Sequence, residues 1–139
     1  MKVIVLKISF LFFLSFTFQN HFLSQENELV YMIVDQKATF PGGITALNTY
    51  FNKTLEYPKS ALKKHTEGKV YVRFVIKKNG DVDDLKLLKG IGEGCDEEAI
   101  KVVEQMPKWN PAFHKGESVA SYVTIPIEFT LHKVPQAEE

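Results

Sequence analysis

Histidine and cysteine, which most often bind metals or act as nucleophiles and bases, are few in this chain and lie far apart. A zinc centre needs histidine and cysteine ligands at short, regular spacing, whereas His65, His114 and His132 are widely separated and His21 lies near the N-terminus. The lone Cys95 can form no internal disulfide. A thiol at a helix N-terminus can have a lowered pKa, but no second cysteine or nearby histidine supports a catalytic role. We therefore expect no metal or cofactor. We expect Cys95 to be a small residue that is buried or half-buried at the start of a helix.

A glycine-rich loop precedes Cys95 but does not fit a nucleotide site. Gly90, Gly92 and Gly94 are spaced G-x-G-x-G, whereas the dinucleotide fingerprint is G-x-G-x-x-G. The acidic run 96–98 would repel a phosphate and instead suits the positive N-terminus of a helix.

Three further acids, Asp81, Asp83 and Asp84, lack the spacing of a calcium loop and are expected to be solvated near a turn. No nucleophile–base pair or metal cluster is visible in the sequence. We therefore predict no catalytic residues, and we expect the function to reside in a binding surface.

The composition is that of one soluble domain with a well-filled core. Hydrophobic residues make up 45% of the 139 residues, including 11 Phe and 5 Tyr. The 17 basic and 17 acidic residues balance, and no basic stripe is present. These features argue against nucleic acid as a partner.

The N-terminus has the pattern of an export signal. Lys2 and Lys7 precede an uncharged apolar run from residue 8 to 18, which as a helix spans only about 16 Å. We predict a signal peptide over residues 1–24, cleaved near Ser24 or Gln25. The alternative is an uncleaved membrane anchor.

Patterning predicts a lead-in over residues 25–40 with a short strand at 29–34. The Phe40-Pro-Gly-Gly43 break then opens a helix, which Tyr57-Pro58 ends, and a shorter helix follows over 59–65. The first helix has one apolar face at spacings of three and four: Ile44, Leu47, Phe51 and Leu55.

The clearest elements follow. Residues 68–76 alternate apolar and polar side chains, Asn79-Gly80 predicts a type I′ turn, and residues 82–89 return as the partner strand. A helix is predicted over 96–106. Trp109 either caps the core or contacts a peptide, and the same two roles are open for Tyr57-Pro58.

The last predicted strand alternates from residue 119 to 131 and contains Pro126. Proline cannot donate a hydrogen bond to a neighbouring strand, so Pro126 indicates an edge strand or a bulge.

Several linked motifs follow one another along the chain: Phe40-Pro-Gly-Gly43, Tyr57-Pro58 with Ala61, Gly68-Lys-Val-Tyr-Val-Arg-Phe-Val-Ile76 with its Asn-Gly turn, Cys95-Asp-Glu-Glu-Ala99, Met106-Pro-Lys-Trp109 with Pro111, and Ile125-Pro-Ile-Glu-Phe129. In the order and spacing of these motifs, residues 29–133 resemble the C-terminal domains of TonB energy transducers. The resemblance implies an α+β fold, with an antiparallel sheet of about three strands and two helices on one face. It implies a domain at 41–133 and leaves a tail at 134–139.

The resemblance also implies a partner. TonB-type domains sit in the periplasm and bind an extended segment of outer-membrane receptors, the TonB box, by adding a strand to their sheet. The implied partner-binding residues are Tyr57, Pro58, Ser121, Tyr122, Val123, Thr124, Ile125, Pro126, Ile127, Glu128, Phe129 and Thr130. A homodimer is a further option, and a membrane contact is expected only if the N-terminal segment is uncleaved.

A full transducer has a membrane-spanning N-terminal helix and a long proline-rich spacer. The N-terminal part of this chain departs from that pattern. Only 22 residues separate Phe18 from Pro41, about 75 Å if fully extended, and none is proline. The favoured interpretation is an exported, periplasmic, stand-alone binding module. The alternatives are a short-linker transducer anchored in the inner membrane and, less favoured, an envelope enzyme.

Overall fold

The computed structural model describes residues 28–133, and these form an α+β domain. The predicted signal peptide, its cleavage site and the tail lie outside them. No helix within the described residues has the length and apolarity needed to cross a membrane. In chain order the elements are β1 (Val30–Tyr31), α1 (Gly43–Thr54), α2 (Lys59–Lys64), β2 (Gly68–Ile76), β3 (Val82–Lys89), α3 (Cys95–Glu104), β4 (Ala112–His114), β5 (Glu117–Phe129) and a short 3-10 turn (Leu131–Lys133).

Three long antiparallel strands form the body of the sheet, with the order β5-β2-β3. β2 pairs with β5 over nine consecutive residues, from Gly68 opposite Phe129 to Ile76 opposite Ser121, without a register shift. The short β1 adds in parallel to the other side of β5, and β4 pairs with the first residues of β5. The predicted fold class is confirmed.

One face of the sheet carries the core. β2 alternates as the sequence predicts, so Val70, Val72, Phe74 and Ile76 point inward and are fully buried. They pack with Ile125, Ile127 and Phe129 of β5, with Leu47 of α1, and with Cys95, Ala99 and Val103 of α3. Burying side chains of this size contributes about 1.5–3 kcal/mol each, so the helices are held on this face by apolar packing.

The turn between β2 and β3 differs from the prediction. Gly80 has φ +90°, but Asn79 is not among the residues with positive φ, so a type I′ turn is excluded. Gly80 N–H donates to Lys77 O (2.8 Å), and Lys77 N–H donates to Asp81 O (2.9 Å). The loop therefore has three residues, with a type I turn closed by a glycine bulge. Tertiary packing fixes it, because Trp109 N–H donates to Gly80 O (2.9 Å).

Other element predictions were close but inexact. The first strand is only two residues long, and Ile44 is 70% exposed although it shares the spacing of the apolar face of α1. Ile44 lies in the first turn of that helix, whereas Leu47 one turn later is buried. The three-residue strand β4 was not predicted, since its sequence is too short to show a period.

Candidate functional site

The side of β5 facing away from β2 is open over most of its length. β1 covers it at Ala120 and Ser121, and from Tyr122 onward no strand within residues 28–133 pairs with this side. A strand edge of this kind presents unpaired backbone groups to another chain. The observation agrees with the edge position that Pro126 predicted.

The turn geometry determines which backbone groups face outward. Both backbone groups of Lys77 point toward β3, because they bond within the hairpin loop. Peptide groups alternate sides along a regular strand, so the even-numbered residues of β2 bond to β5. With Gly68 opposite Phe129 and no register shift, the odd-numbered residues of β5 bond back to β2. The even-numbered residues of β5 from Tyr122 to Glu128 therefore point their amides and carbonyls toward the open side.

This alternation of outward and inward backbone groups explains why a proline is tolerated within the strand. Pro126 lies opposite Tyr71 in a pair that is not hydrogen-bonded, so its nitrogen faces the open edge. No bond to β2 is lost. The open edge keeps the carbonyl of Pro126 as an acceptor and lacks a donor at that position.

Side chains alternate in the same way. Ile125, Ile127 and Phe129 point into the core and are at most 8% exposed. Tyr122, Thr124, Pro126 and Glu128 point to the opposite face and are exposed. An added strand that continues the pleat would thus have one set of side chains on the helix face and one in solvent.

A groove of about 790 Å³ runs along the lower part of the open edge, between β5 and α1. Its floor is the strand from Pro126 to Thr130, and Lys69 of β2 contributes to it. The helix side consists of Phe51, Leu55 and Tyr57 together with the exposed amides of two asparagines one helical turn apart, Asn48 and Asn52. The arrangement combines apolar walls, side-chain amides and free backbone groups, which are the parts that bind an extended peptide.

Tyr57 is fixed at the end of this groove. Its ring packs edge-on against Phe129, with 5.6 Å between centroids, and its hydroxyl donates to Thr66 O (2.5 Å). Burial raises the pKa of Tyr57, with smaller contributions from Cys95 and Glu67, so the hydroxyl remains a donor. Glu67 in turn accepts a hydrogen bond from Leu131 N–H (2.6 Å), which anchors the chain just after β5.

The structure separates the predicted binding residues into groups. Tyr57 and residues 126–130 line one groove, and residues 122–125 extend the same edge beyond it. Pro58 instead lines a second, smaller hollow against Glu97 and Lys101 of α3. Ser121 is buried and lies opposite both Tyr31 and Ile76, so its two sides are already paired.

The exposed sheet face beside the edge carries an aromatic and cationic pair. The guanidinium of Arg73 lies over the ring of Tyr122, 5.0 Å from its centroid. Such contacts contribute about 0.5–1 kcal/mol at exposed sites. The pair orients the Tyr122 ring toward β2, away from the open edge.

Two residues that the sequence marked for chemistry serve the core. Trp109 is 6% exposed and packs against Phe40 and Phe74, which supports the capping role over peptide contact. Cys95 is fully buried, and burial first, then Asp96, Glu97 and Glu93, raise its pKa to about 11. A thiol that stays protonated is a poor nucleophile.

The sequence did not identify the helix side of the groove. Phe51 and Leu55 were predicted to lie on the apolar face of this helix, but no binding role was assigned to them. The sequence pattern does not tell which edge of the sheet this helix flanks, because helix placement depends on contacts distant in sequence. The i, i+4 asparagine pair beside two apolar residues was the only available signal.

The comparisons with known proteins place this domain in a family. The family model for the Gram-negative bacterial TonB protein C-terminal matches residues 53–131. Two solution structures of the Helicobacter pylori TonB C-terminal domain are similar: one at 25% identity with a TM-score of 0.48, covering 63% of this chain and 79% of that one, the other at 27% with 0.44, covering 63% and 92%. No curated protein matches the chain. Since the family model spans more than half of the sequence, the chain belongs to the TonB C-terminal domain family.

Proposed function

We propose that this chain is a periplasmic TonB-like module that binds an extended segment of an outer-membrane receptor, its TonB box, along the open edge of β5. Domains of this family are non-enzymatic, transport-associated modules that interact with such receptors. The observation that carries the proposal is the coincidence of the open edge with the groove at residues 126–130.

The mechanism is strand addition. Backbone amides of the receptor segment donate to the outward carbonyls of Tyr122, Thr124, Pro126 and Glu128, and the outward amides of Thr124 and Glu128 donate in return. Alternate side chains of the segment lie against Phe51 and Leu55. Since each neutral hydrogen bond contributes about 0.5–1.5 kcal/mol net and the segment must be ordered, we expect weak binding by the isolated interaction.

An NMR titration of the full chain with a TonB-box peptide tests the proposal. Backbone amide shifts should cluster on residues 122–130 and at Tyr57. Replacing Phe51 by Ala should weaken binding about tenfold, as for a central interface anchor. The matched control is Leu87→Ala, since Leu87 is 43% exposed on β3 at the other edge; it should leave affinity unchanged. Shifts confined to α3, or equal effects of the two variants, would refute the proposal.

The second candidate is a transducer that keeps the N-terminal segment as an inner-membrane anchor. The apolar run at residues 8–18 motivates both versions. Fractionation and N-terminal sequencing of the native protein distinguish them. A soluble form that starts near Gln25 supports the exported module, and a membrane-bound form that retains Met1 supports the transducer.

A further inference from the structure

Pro126 lies near the middle of the open edge. The open part of β5 runs from Tyr122 to Phe129, so four residues precede Pro126 and three follow it. Its nitrogen faces outward, as the register shows. Any strand that pairs along the whole edge therefore lies opposite Pro126, where the edge has no N–H to donate.

We infer that Pro126 is a specificity-determining residue that excludes a second copy of this chain from the edge while leaving the edge open to a receptor segment. The peptide partner rests on the proposed function. The exclusion of a second copy rests only on the geometry of the edge.

The open edge can pair with a second copy of itself or with a receptor segment, and the two pairings differ in their hydrogen bonds. In a two-fold antiparallel pairing of two open edges centred on Pro126, this residue lies opposite the same proline of the other copy. Both central donors are then missing, and the two rings are directed at one another. In any other register that spans the run, each copy still contributes its own proline. Self-pairing therefore loses two hydrogen bonds where an ordinary peptide loses one.

The loss also falls at the most damaging position. A proline near an end would shorten a self-paired ladder slightly, whereas Pro126 divides it into two short halves. Short ladders are marginal in water. A receptor segment keeps its own amide, which donates to the Pro126 carbonyl, and it additionally packs against Phe51 and Leu55 in the groove.

The other side chains of the edge do not provide this protection. Tyr122 and Thr124 are residue types that favour strands. Glu128 is the only charged side chain from residue 122 to 130, and it lies across from Lys69 in the register. Without the proline, this edge has the features of a strand that pairs with its own copy.

The experiment is sedimentation velocity of the full chain, held in a density-matched mild detergent, for the natural protein and for Pro126→Thr. The natural protein should remain monomeric. Pro126→Thr restores the amide and should form a dimer whose dissociation constant is lower by about tenfold or more, because two hydrogen bonds return. Amides of residues 124 and 128 should become protected from exchange in that dimer.

Two further variants separate the effect of the backbone amide from that of the side chain. Glu128→Thr adds the same side chain to the same face but keeps Pro126, and it should stay monomeric. Pro126→Ala supplies the amide without a β-branched side chain, and it should dimerise if Pro126→Thr fails to fold. A natural protein that dimerises through β5, monomeric behaviour of both Pro126 variants, or dimerisation of Glu128→Thr would overturn the inference.

Peptide binding is read separately on the same samples. Pro126→Thr monomers should bind a TonB-box peptide about threefold to tenfold more tightly, because one donor is added. If neither protein binds the peptide, the proposed function fails, and the sedimentation result still decides whether Pro126 excludes a second copy.

Discussion

The two edges of this sheet are built differently. β3, at one edge, contains two register shifts relative to β2, each of which inserts one extra residue into β3. Asp84, at one of them, has φ +46°. β5, whose outer side is open from Tyr122 onward, pairs with β2 over nine residues without a shift. Bulges bend and twist a strand so that it cannot serve as a template, whereas a regular strand can.

The two edges also differ in the number of charged side chains that they carry. β3 carries two aspartates and two lysines among its eight residues, and Lys77 pairs with Asp83 at 3.0 Å. The open part of β5 carries one charged side chain, Glu128. Both edges face water, so exposure alone does not explain the difference. One edge is protected along its length, and the other is protected at a single position that still permits a peptide to bind.

The largest expected effect comes from the hairpin that forms the β3 edge. Replacing Gly80 by Val places a β-branched residue at φ +90° and its Cβ at 2.2 Å from the carbonyl oxygen of Trp109. We expect a loss of at least about 3 kcal/mol in the free energy of unfolding, from backbone strain and the displaced Trp109. Urea denaturation measures it.

Gly116 provides the matched control for Gly80. It lies in the β4–β5 turn at φ +80°, and a Cβ there would meet nothing within 4 Å. Gly116→Val should therefore cost only the strain of positive φ, about 1–2 kcal/mol. Equal losses for the two variants would contradict the role of the Trp109 contact.

The sequence predicted the regular strand β2 and the edge position of Pro126. The alternation at Val70, Val72 and Phe74 identified β2 because a period of two is a local property. Pro126 indicated an edge for the reason that the structure shows, since its nitrogen must point away from a partner strand.

The irregular parts depend on tertiary contacts and were missed. The Asn79-Gly80 pair indicated a turn, but Trp109, some thirty residues later, bonds to Gly80 and helps to set the turn type. The bulge at Asp84 has no glycine to mark it. The groove requires Phe51 and Thr130 to line the same hollow, and no local pattern relates residues that are so far apart in sequence.

A pair of proline substitutions in β5 tests the parity of the open edge. Val123 bonds to β2, so Val123→Pro should remove a ladder bond and cost about 3 kcal/mol of stability. Thr124 faces outward, so Thr124→Pro should cost about 1 kcal/mol at most. Denaturation curves of the two variants compare them directly. Similar losses, or a larger loss for Thr124→Pro, would show that the assignment of outward residues is wrong.

Thr124→Pro should nevertheless impair binding. It removes the donor next to Pro126, so the affinity for a TonB-box peptide should fall about threefold to tenfold while the fold is retained. Titration of the folded variant by NMR measures the change. Unaltered affinity would place the peptide elsewhere on the domain.

The smallest effect is expected from a residue that belongs to neither edge. Cys95 is buried between α3 and the sheet, and its pKa is raised from about 9 to about 11, first by burial and then by the nearby acids. The folded protein thus holds this proton more tightly than the unfolded chain does. The stabilisation is complete below pH 9 and is lost as the pH rises toward 11, at about 1 kcal/mol per pH unit at most. Cys95→Ser should lack this component, so its stability should fall less steeply than that of the natural protein between pH 9 and 10.

At neutral pH the variant should lose about 1 kcal/mol, bind the peptide normally and stay monomeric. Loss of peptide binding in a folded Cys95→Ser protein would assign the thiol a role beyond packing and would remove the separation between the core and the open edge on which the comparison depends.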